Sequence, residues 1–331
     1  MIIESRAYAR AGLLGNPSDG YFGKTISIII RNFGAIVTLY ETPELVIEQQ
    51  DEDRNRFRNI HQLVETMNLT GYYGGDRLIK ATIKKFYEYC QSNNIRLSNK
   101  NFTVRFQSSI PRQVGLAGSS AIITATIRSL MKFNNVEIPL EILPSLILSV
   151  ETEELGINAG LQDRVIQVFE GCVYMDFNKP YLEKHQHGIY ERLDAQKLPR
   201  LYLAYKIQLG KVSGKVLNTI RQRYDAGDQE VHDTLAEIAG LAEQGKKAIL
   251  DKDHELLNTL IDRNFDLRCK IMNISESNIE MVQAARNCGA SAKFSGSGGA
   301  IIGMYTDDEM LRKLIVTLNK INVRVIKPYI L

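Results

Sequence analysis

The chain has 331 residues, 44% of them hydrophobic, and a formal net charge of +3 at pH 7. This length is enough for two domains, and the composition is typical of a globular protein with sizeable cores. A charge so close to neutral, without a basic run interleaved with aromatic residues, argues against a dedicated nucleic-acid binder. No stretch approaches the roughly 18 apolar residues of a membrane span, and the N-terminus has no apolar signal segment, so we expect a cytoplasmic protein without a membrane partner.

In the first half of the chain, runs of β-branched residues alternate with segments whose apolar residues have helical spacing. The runs 25–30 and 35–40 are separated by Arg31–Gly34, which predicts a hairpin or meander. Apolar spacing predicts a helix over 76–92, and alternation of apolar residues predicts a strand over 101–108. Further expected elements are helices over 119–133 and 144–155 and a strand over 171–177.

The second half begins in a polar, turn-rich segment over 178–188. A strand over 198–207 restarts regular structure, so we place a domain boundary near residue 195. The charged segment 51–62, in the first half, is expected to form a surface helix or a lid. The last expected elements are a strand over 300–306, a helix over 308–320 and a strand over 323–331.

Cysteine and histidine give little sign of a metal site. No Cys-x-x-Cys spacing occurs, which favours reduced thiols over a zinc ribbon or a thioredoxin-type centre. His185 and His187 have a spacing that can bind metal, but they stand in polar surroundings that favour a solvated loop. The cysteines are Cys90, Cys172, Cys269 and Cys288.

A cluster of small residues stands at the entrance to a predicted helix, in "PRQVGLAGSSAI" over 111–122. A helix N-terminus has unpaired N–H groups and partial positive charge, and glycines let a phosphate approach those groups. The stretch lacks the Gly-Lys-Ser/Thr ending of a Walker A loop, so it predicts another kind of phosphate-binding loop. The alternative is a tight turn in which Ser119 or Ser120 caps the helix.

Two more glycine-rich stretches favour the phosphate-binding interpretation. "RAGLLGNPSDGYFG" over 10–23 lies near the start, and "AKFSGSGGAII" over 292–302 directly precedes a predicted strand. Because each of the three clusters adjoins a regular element, the sequence predicts a ligand surrounded by three loops.

Two carboxylates between these loops are candidates for chemistry. Glu151 shares a helix face with Ile147, Leu148 and Leu155, and a carboxylate on an apolar face usually needs a partner or a metal. Asp163 lies at or near a helix start, where negative charge is favoured. The alternatives are that Glu151 marks the edge of the apolar stripe and that Asp163 is a plain N-cap.

The three glycine clusters, in this order, resemble those of the GHMP kinases, which phosphorylate sugars, mevalonate and homoserine. "PRQVGLAGSSA" is similar to the central phosphate motif of the family, and "AKFSGSGGA" to its C-terminal motif. "RAGLLGNPSDGYFGKTIS", "GYYGG" (71–75) and "AGLQDRV" resemble the glucuronokinase branch known from plants. The residues Gly15-Asn16-Pro17 stand where many relatives have Gly-Glu-His.

The resemblance implies an α+β, two-domain fold. The N-terminal domain, residues 1–195, would contain a left-handed βαβ unit and bind ATP. The C-terminal domain, residues 196–331, would be ferredoxin-like. ATP and Mg²⁺ would lie between the two domains.

The resemblance also implies roles for individual residues. Asp163 aligns with the catalytic aspartate, and Arg10 with the basic residue that steadies both the transferring group and that aspartate. Ser120 and Glu151 align with the residues that hold Mg²⁺. The residues that would surround the ATP phosphates are Pro111, Gly115, Leu116, Ala117, Gly118, Ser119, Ser120 and Ala121. Those that would contact the sugar or line the C-terminal side of the site are Asn16, Ser18, Asp19, Arg164, Gly296, Gly298 and Gly299.

Arg164 departs from the wider family, in which many relatives have Gln after the aspartate. An arginine here could pair with a uronate carboxylate in a bidentate geometry. The alternative is a salt bridge within the helix. Arg221 and Arg223 are weaker candidates and are expected to be solvated helix charges.

The expected reaction is phosphoryl transfer from ATP to the anomeric hydroxyl of D-glucuronate. The partners are then ATP and a small sugar acid, and the sequence has no signal for an oligomeric state. One alternative is a kinase of the same fold acting on galacturonate, a heptose phosphate or a neutral hexose. Another is a catalytically silent sensor, which should have lost Asp163, Glu151 or Ser120.

Overall fold

The computed structural model describes residues 1–48, 75–207 and 215–330. Within them, two sheets are covered by helices. The segment 51–62, expected to be a helix or a lid, lies outside the described residues, as does most of the "GYYGG" motif. None of the described helices combines the length and apolar character needed to cross a membrane.

The first sheet is built around one long strand. Its strands are β1 (Ile2–Leu14), β2 (Lys24–Thr42), β3 (Val46–Ile47), β4 (Asn101–Ser108), β5 (Cys172–Asp176) and β6 (Ile189–Leu193). They run in the order β3-β4-β2-β5-β6, with β1 also paired to β2. The long strand therefore has β1 along one edge, and β4 and β5 share the opposite edge, β4 toward its end and β5 toward its start.

The predicted hairpin over 25–40 is wrong, because β2 runs straight through it. Opposite this point, Tyr8 pairs with Gly34 while the next residue, Ala9, pairs with Ile30. The three residues 31–33 therefore form a bulge within the strand. Polar residues and a glycine between two β-branched runs are typical of both a turn and a bulge, and here the unbroken partner β1 selects the bulge.

Helices of the first half pack on this sheet, and one of them begins within the glycine-rich stretch over 111–122. They are α1 (Gly75–Ser92), α2 (Gly118–Asn134), α3 (Leu143–Ser149), which continues as a π-helical turn (Val150–Glu154), and α4 (Gln162–Phe169). The helix α2 packs against β1 and β2. The strands β3 and β4 are parallel, with α1 between them in the chain, as a βαβ unit requires. The left hand of that unit stays a prediction.

The polar segment 178–188 contains a helix, α5 (Lys179–His185), which sequence reasoning missed. Asn178 caps it by accepting a hydrogen bond from the backbone N–H of Tyr181, and Pro180 stands in its first turn. At its end the ring of His185 stacks on Tyr181, 4.2 Å between centroids. The described residues contain no group of three or more metal-ligating side chains.

The second sheet has the topology of a ferredoxin-like domain. Its strands are β7 (Leu201–Lys206), β8 (Lys293–Phe294), β9 (Ala300–Met304) and β10 (Val323–Ile326), in the order β10-β7-β9-β8. The helices are α6 (Lys215–Asp225), α7 (Gln229–Asp251), α8 (His254–Ile271), α9 (Glu276–Arg286) and α10 (Asp308–Asn319). Numbered by chain order the sheet is 4-1-3-2, which confirms the predicted fold class.

The last predicted strand is shorter than expected. It ends at Ile326, before Pro328, which has no N–H for a sheet ladder. The chain then reaches the bulge of β2, where the carbonyl of Tyr329 accepts from the N–H of Arg31 at 2.7 Å. The division into domains near residue 195 stays a prediction. The first sheet ends at Leu193 and the second begins at Leu201.

Candidate active site

The three glycine-rich stretches meet around a cavity of about 580 Å³. The stretch after β1 contributes Asn16 and Asp19, the loop before α2 contributes Gly115, and the loop after β8 contributes Gly296. A cavity of this size is within the range of small-molecule sites. The arrangement has the form predicted from the sequence, three loops around one space.

Two of the loops touch each other so closely that only glycine fits. A β-carbon at Gly296 would fall 2.2 Å from the carbonyl oxygen of Gly115, and one at Gly115 would fall 3.0 Å from the backbone nitrogen of Ser297. Gly115 also has a φ of +70°, in the left-handed region that favours glycine. The contact fixes the phosphate-binding loop candidate against the C-terminal loop.

The N-terminus of α2 opens into this cavity. Gly118 and Ser119 line it, directly after Ala117, whose φ of 61° starts the helix. The predicted serine cap is wrong, because no side chain caps this end. The first N–H groups of the helix therefore have no side-chain cap acceptor, and an anionic ligand can accept from them.

Asp163 and Arg10 form a bidentate pair in the cavity wall. The Nε of Arg10 donates to Oδ1 of Asp163 at 2.6 Å, and its Nη2 donates to Oδ2 at 2.8 Å. Nη1 of Arg10 donates to the carbonyls of Gly115 at 2.6 Å and Ser295 at 3.1 Å. One buried guanidinium thus joins the predicted catalytic aspartate to both glycine-rich loops. Asp163 lies in the first turn of α4, as predicted.

Glu151 has the partners that its buried position requires. It is 1% exposed, on the π-helical turn, and lines the cavity. Its Oε1 accepts from the hydroxyl of Ser119 at 2.7 Å, and its Oε2 accepts from Nη2 of Arg164. The structure therefore places Ser119, rather than Ser120, beside Glu151. The hydroxyl of Ser120 is fully buried and donates to the carbonyl of Ala117, which argues against the metal role given to it.

The side chain of Arg164 is buried. Its side chain is 4% exposed, and besides Glu151 its Nη1 donates to the carbonyl of Gly160 at 2.8 Å. Because Glu151 already neutralises this guanidinium, the predicted pairing of Arg164 with a substrate carboxylate is contradicted. The alternative of a salt bridge is correct in kind, but the bridge joins α4 to the π-helical turn instead of staying within one helix.

Asp19 is a second carboxylate at the same end of the cavity. Burial, together with the charge of Asp163, raises its pKa from 3.8 to about 6, although Arg10 and Arg164 oppose the shift. A β-carbon at Gly160 would fall 2.1 Å from its Oδ2, so the carboxylate lies tightly against that glycine. Near neutral pH this group can act as an acceptor for a hydroxyl-rich ligand.

The remaining predicted residues divide into two groups. Pro111, Leu116 and Asn16 line the cavity. Ser18 is 1% exposed, and its hydroxyl donates to the carbonyl of Lys24, which is a structural role. Five of the predicted residues are outside the cavity lining: Ser18, Ser120, Ala121, Gly298 and Gly299.

Sequence reasoning missed several polar residues of the site. Lys293 is fully buried, donates to the carbonyl of Gly12 at 2.8 Å and to the side chain of Asn16, and burial lowers its pKa well below the ordinary value. Arg268 lines the cavity from α8. The signal for Arg268 was the one used for Glu151, a charged residue on a largely apolar helix face.

Of the two weaker candidates, only Arg221 reaches the cavity. Its Nη2 donates to the carbonyl of Gly20 at 2.6 Å, and its guanidinium lies 4.5 Å from the ring centroid of Tyr21. Arg223 instead pairs with Asp228 and Glu230, as expected of a helix surface charge.

Comparison with known proteins identifies the family. The family model for the GHMP kinases N terminal domain matches residues 77–171, and that for the GHMP kinases C terminal domain matches 246–320. Two relatives from Arabidopsis thaliana, "Glucuronokinase 1" and "Probable glucuronokinase 2", are 45% and 47% identical to this chain. Both alignments cover 91% of this chain and 84% of the relative. The chain belongs to the GHMP kinase family.

Solved structures of GHMP kinases have the same fold. The Methanococcus jannaschii mevalonate kinase superposes with a TM-score of 0.73 over 100% of this chain and 98% of that one, at 22% sequence identity. The Lactococcus lactis galactokinase complexed with galactose gives 0.77 over 99% and 93%, at 13% identity. The two-domain fold expected from the resemblance is confirmed.

Proposed function

We propose that this chain transfers the γ-phosphoryl group of ATP to the anomeric hydroxyl of D-glucuronate, giving glucuronate 1-phosphate and ADP. The choice of sugar rests on the identity to the two Arabidopsis relatives along nine-tenths of the chain. The choice of chemistry rests on one observation. The Arg10–Asp163 pair lines the same cavity as the N-terminus of α2. We further propose a cytoplasmic location.

The donor would bind at the glycine-rich loop before α2. The N–H groups around Gly118 and Ser119 and the partial positive charge of the helix N-terminus suit the phosphates of ATP. Arg10 is fixed to the carbonyl of Gly115 in this loop, so its charge lies beside the place where the transferring group would be held. A fixed cation there stabilises the charge that spreads over the phosphoryl oxygens during transfer.

The acceptor would bind between Asp163 and Asp19. Arg10 occupies one site on each oxygen of Asp163, and a carboxylate has further acceptor sites for a sugar hydroxyl. Asp163 would orient the anomeric hydroxyl and accept its proton as the oxygen attacks phosphorus. Asp19 and Asn16, on the loop after β1, would bind other hydroxyls of the sugar. Holding both reactants in this way supplies much of the rate enhancement.

The donor set at Glu151 fits a magnesium ion. A carboxylate and the hydroxyl of Ser119 line the cavity together beside the phosphate loop, and Mg²⁺ prefers such oxygen ligands along with phosphate oxygens. Mg²⁺ bound there would offset the negative charge of the ATP phosphates. Arg164 fixes the rotamer of Glu151 from the opposite side.

The test is an ATP-consumption assay with Mg²⁺ against glucuronate, galacturonate, glucose, galactose, mannose and a heptose 7-phosphate. Phosphorus NMR identifies the product. We expect selective consumption with glucuronate and a sugar 1-phosphate as product. Selective activity with another sugar would overturn the substrate and retain the phosphoryl-transfer residues.

A further inference from the structure

One buried arginine in the cavity has no carboxylate partner. Arg268, on α8, is 1% exposed, and its Nη1 donates to the carbonyl of Gly296 at 3.0 Å. Its guanidinium lies 5.2 Å from the ring centroid of Phe294. Among residues 1–48, 75–207 and 215–330, no carboxylate oxygen lies within 4.0 Å of it, and its Nε has no hydrogen-bond partner.

Of the four other arginines that line the cavity, three have compensated charges and the fourth, Arg112, is exposed to solvent. Arg10 is paired with Asp163, and Arg164 is paired with Glu151. Arg221 is exposed to solvent and lies 3.8 Å from Asp225. Arg268 differs from these because its charge is removed from water and its direct contacts are a carbonyl and an aromatic face, with the charge of Asp19 acting from outside ion-pair distance.

Burying a charge without a counter-ion in contact is unfavourable. Burial lowers the pKa of Arg268 to about 10; the charge of Arg10 acts in the same direction, whereas the charges of Cys269 and Asp19 oppose the shift. The group is still a cation at neutral pH. A ligand anion that reached it through the cavity would remove the imbalance.

We propose that Arg268 binds the carboxylate of the sugar-acid substrate and so selects a uronate over a neutral sugar. The inference rests on the proposed function, and it assigns to Arg268 the role that the sequence suggested for Arg164. A guanidinium binds a carboxylate through two parallel hydrogen bonds, which a neutral sugar cannot form.

The position of Arg268 suits the acceptor end of the cavity. Gly296 lies between the two arginines. Its carbonyl accepts from Arg268, and a β-carbon on it would fall 2.8 Å from Nη1 of Arg10. Arg10 in turn holds Asp163, where the anomeric hydroxyl would bind. The carboxylate of a hexuronate is carried on C5, which the ring oxygen joins to the anomeric carbon, so a sugar whose anomeric hydroxyl binds at Asp163 keeps its carboxylate within the cavity that Arg268 lines.

The helix that supplies Arg268 also fixes the loop after β1. Asn264, one turn earlier on α8, accepts from the N–H of Gly15 at 2.8 Å and donates to the carbonyl of Asn16 at 3.2 Å. Residues four apart lie on the same face of a helix. The same face of α8 therefore positions the sugar-binding loop candidate and presents the cation beside it.

The experiment compares glucuronate with glucuronamide, its neutral isostere, in the wild type and in Arg268→Met. We expect the wild type to favour the acid by about 100-fold in kcat/KM, since hydrogen bonds to a charged group are each worth about 1.5–3 kcal/mol. In Arg268→Met the preference should fall to about 3-fold or less, through KM for the acid, with KM for ATP unchanged. Arg263→Met is the matched control, since Arg263 lies on the same helix and pairs at the surface with Glu237.

A loss that is equal for acid and amide, or a raised KM for ATP, would overturn the proposal and assign Arg268 to the phosphates or to the fold. Loss of the preference in Arg221→Met, with Arg268→Met unchanged, would assign the carboxylate to Arg221. If Arg268→Met does not fold, Arg268→Lys decides. Lysine keeps the positive charge but lacks the two parallel donors of a guanidinium, so this variant should reduce the preference for the acid over the amide by about 10-fold. An unchanged preference would overturn the proposal.

Failure of the proposed function can be distinguished from failure of the role given to Arg268. A wild type that does not use glucuronate but prefers another uronate to its amide would overturn the sugar and leave Arg268 to be tested with that acid. A wild type that prefers neutral hexoses to every uronate would overturn both.

Discussion

Two arginine–carboxylate pairs lie side by side in the cavity wall, and their surroundings differ. In the Arg10–Asp163 pair the carboxylate is 18% exposed, so it faces the cavity with acceptor sites still available. In the Arg164–Glu151 pair both side chains are almost fully buried, at 4% and 1% exposure. Asp163 and Arg164 are neighbours in the chain, and Nη1 of Arg164 lies 3.6 Å from Oδ2 of Asp163, but each makes its shortest hydrogen bonds with the other member of its own pair.

The difference in exposure distinguishes a pair that can contact a substrate from a pair that supports the fold. A partly exposed carboxylate held in a fixed orientation can meet a substrate. A buried ion pair contributes little net stability, but breaking it leaves an uncompensated charge in the interior. We therefore expect changes in the first pair to affect turnover, changes in Arg164 to affect folding, and changes in Glu151 to affect both folding and the binding of Mg²⁺.

The largest expected effect is that of Asp163→Asn on turnover. The amide keeps the shape of the side chain but cannot accept the proton of the anomeric hydroxyl, so kcat should fall by about 10³- to 10⁴-fold. Binding of ATP should change by less than about 3-fold, because the helix N-terminus and the glycine-rich loop are untouched. Calorimetric titration with a non-hydrolysable ATP analogue checks the binding. Turnover within 10-fold of the wild type would remove Asp163 from its catalytic role.

The second expected effect is that of Arg164→Met on stability. Glu151 would stay buried with only Ser119 as a hydrogen-bond partner, which should lower the free energy of unfolding by about 3–5 kcal/mol. Urea unfolding measures the change, and Arg263→Met is the matched control, since its pair with Glu237 is exposed. A loss below 1 kcal/mol for Arg164→Met would contradict the division between the two pairs.

The two pairs also show what the sequence could predict and what it could not. The glycine clusters and Glu151 were identified because each departs from what a simple core or helix face requires, whereas the role of Asp163 came from the family resemblance. The role predicted for Arg164 did not take account of Glu151, a partner 13 residues away in the chain, although Nη1 of Arg164 does lie 3.6 Å from Oδ2 of Asp163.

Errors in the fold have the same origin as the error at Arg164. The bulge over 31–33 in β2 depends on β1, which pairs with it along its length, and a local pattern cannot report that partner. Which serine meets Glu151 depends on how the π-helical turn is packed against α2. Arg268 could have been singled out from the sequence in the same way as Glu151, because it is a charged residue on a largely apolar helix face.

A third expected effect concerns Asp19, whose pKa of about 6 lies above its value in an unfolded chain. Between about pH 4 and pH 6 the folded state binds more protons at this group than the unfolded state does. Its contribution to stability is therefore present below about pH 4 and is lost as pH rises through 6. Asp19→Asn removes this cost, so at pH 7.5 the variant should be about 1–2 kcal/mol more stable than the wild type.

The difference between Asp19→Asn and the wild type should vanish at pH 4. Urea unfolding at both pH values measures it, and other titrating groups cancel because both proteins contain them. A variant that is equally or less stable than the wild type at pH 7.5 would show that Asp19 has a compensating partner in the folded state.

The smallest expected effect separates two neighbouring serines, which share the start of α2 but not its surroundings. The hydroxyl of Ser119 lies 2.7 Å from Glu151 in the cavity, whereas the hydroxyl of Ser120 is buried against the carbonyl of Ala117. Ser119→Ala should raise the Mg²⁺ concentration needed for half-maximal activity by about 10-fold, the effect of removing one hydrogen-bonding ligand of about 1.4 kcal/mol. Ser120→Ala should leave that concentration within 2-fold, since it removes only a neutral hydrogen bond within the helix. Magnesium titrations of both variants decide between them. The reverse order would mean that α2 rotates when ATP binds, so that Ser120 turns toward Glu151.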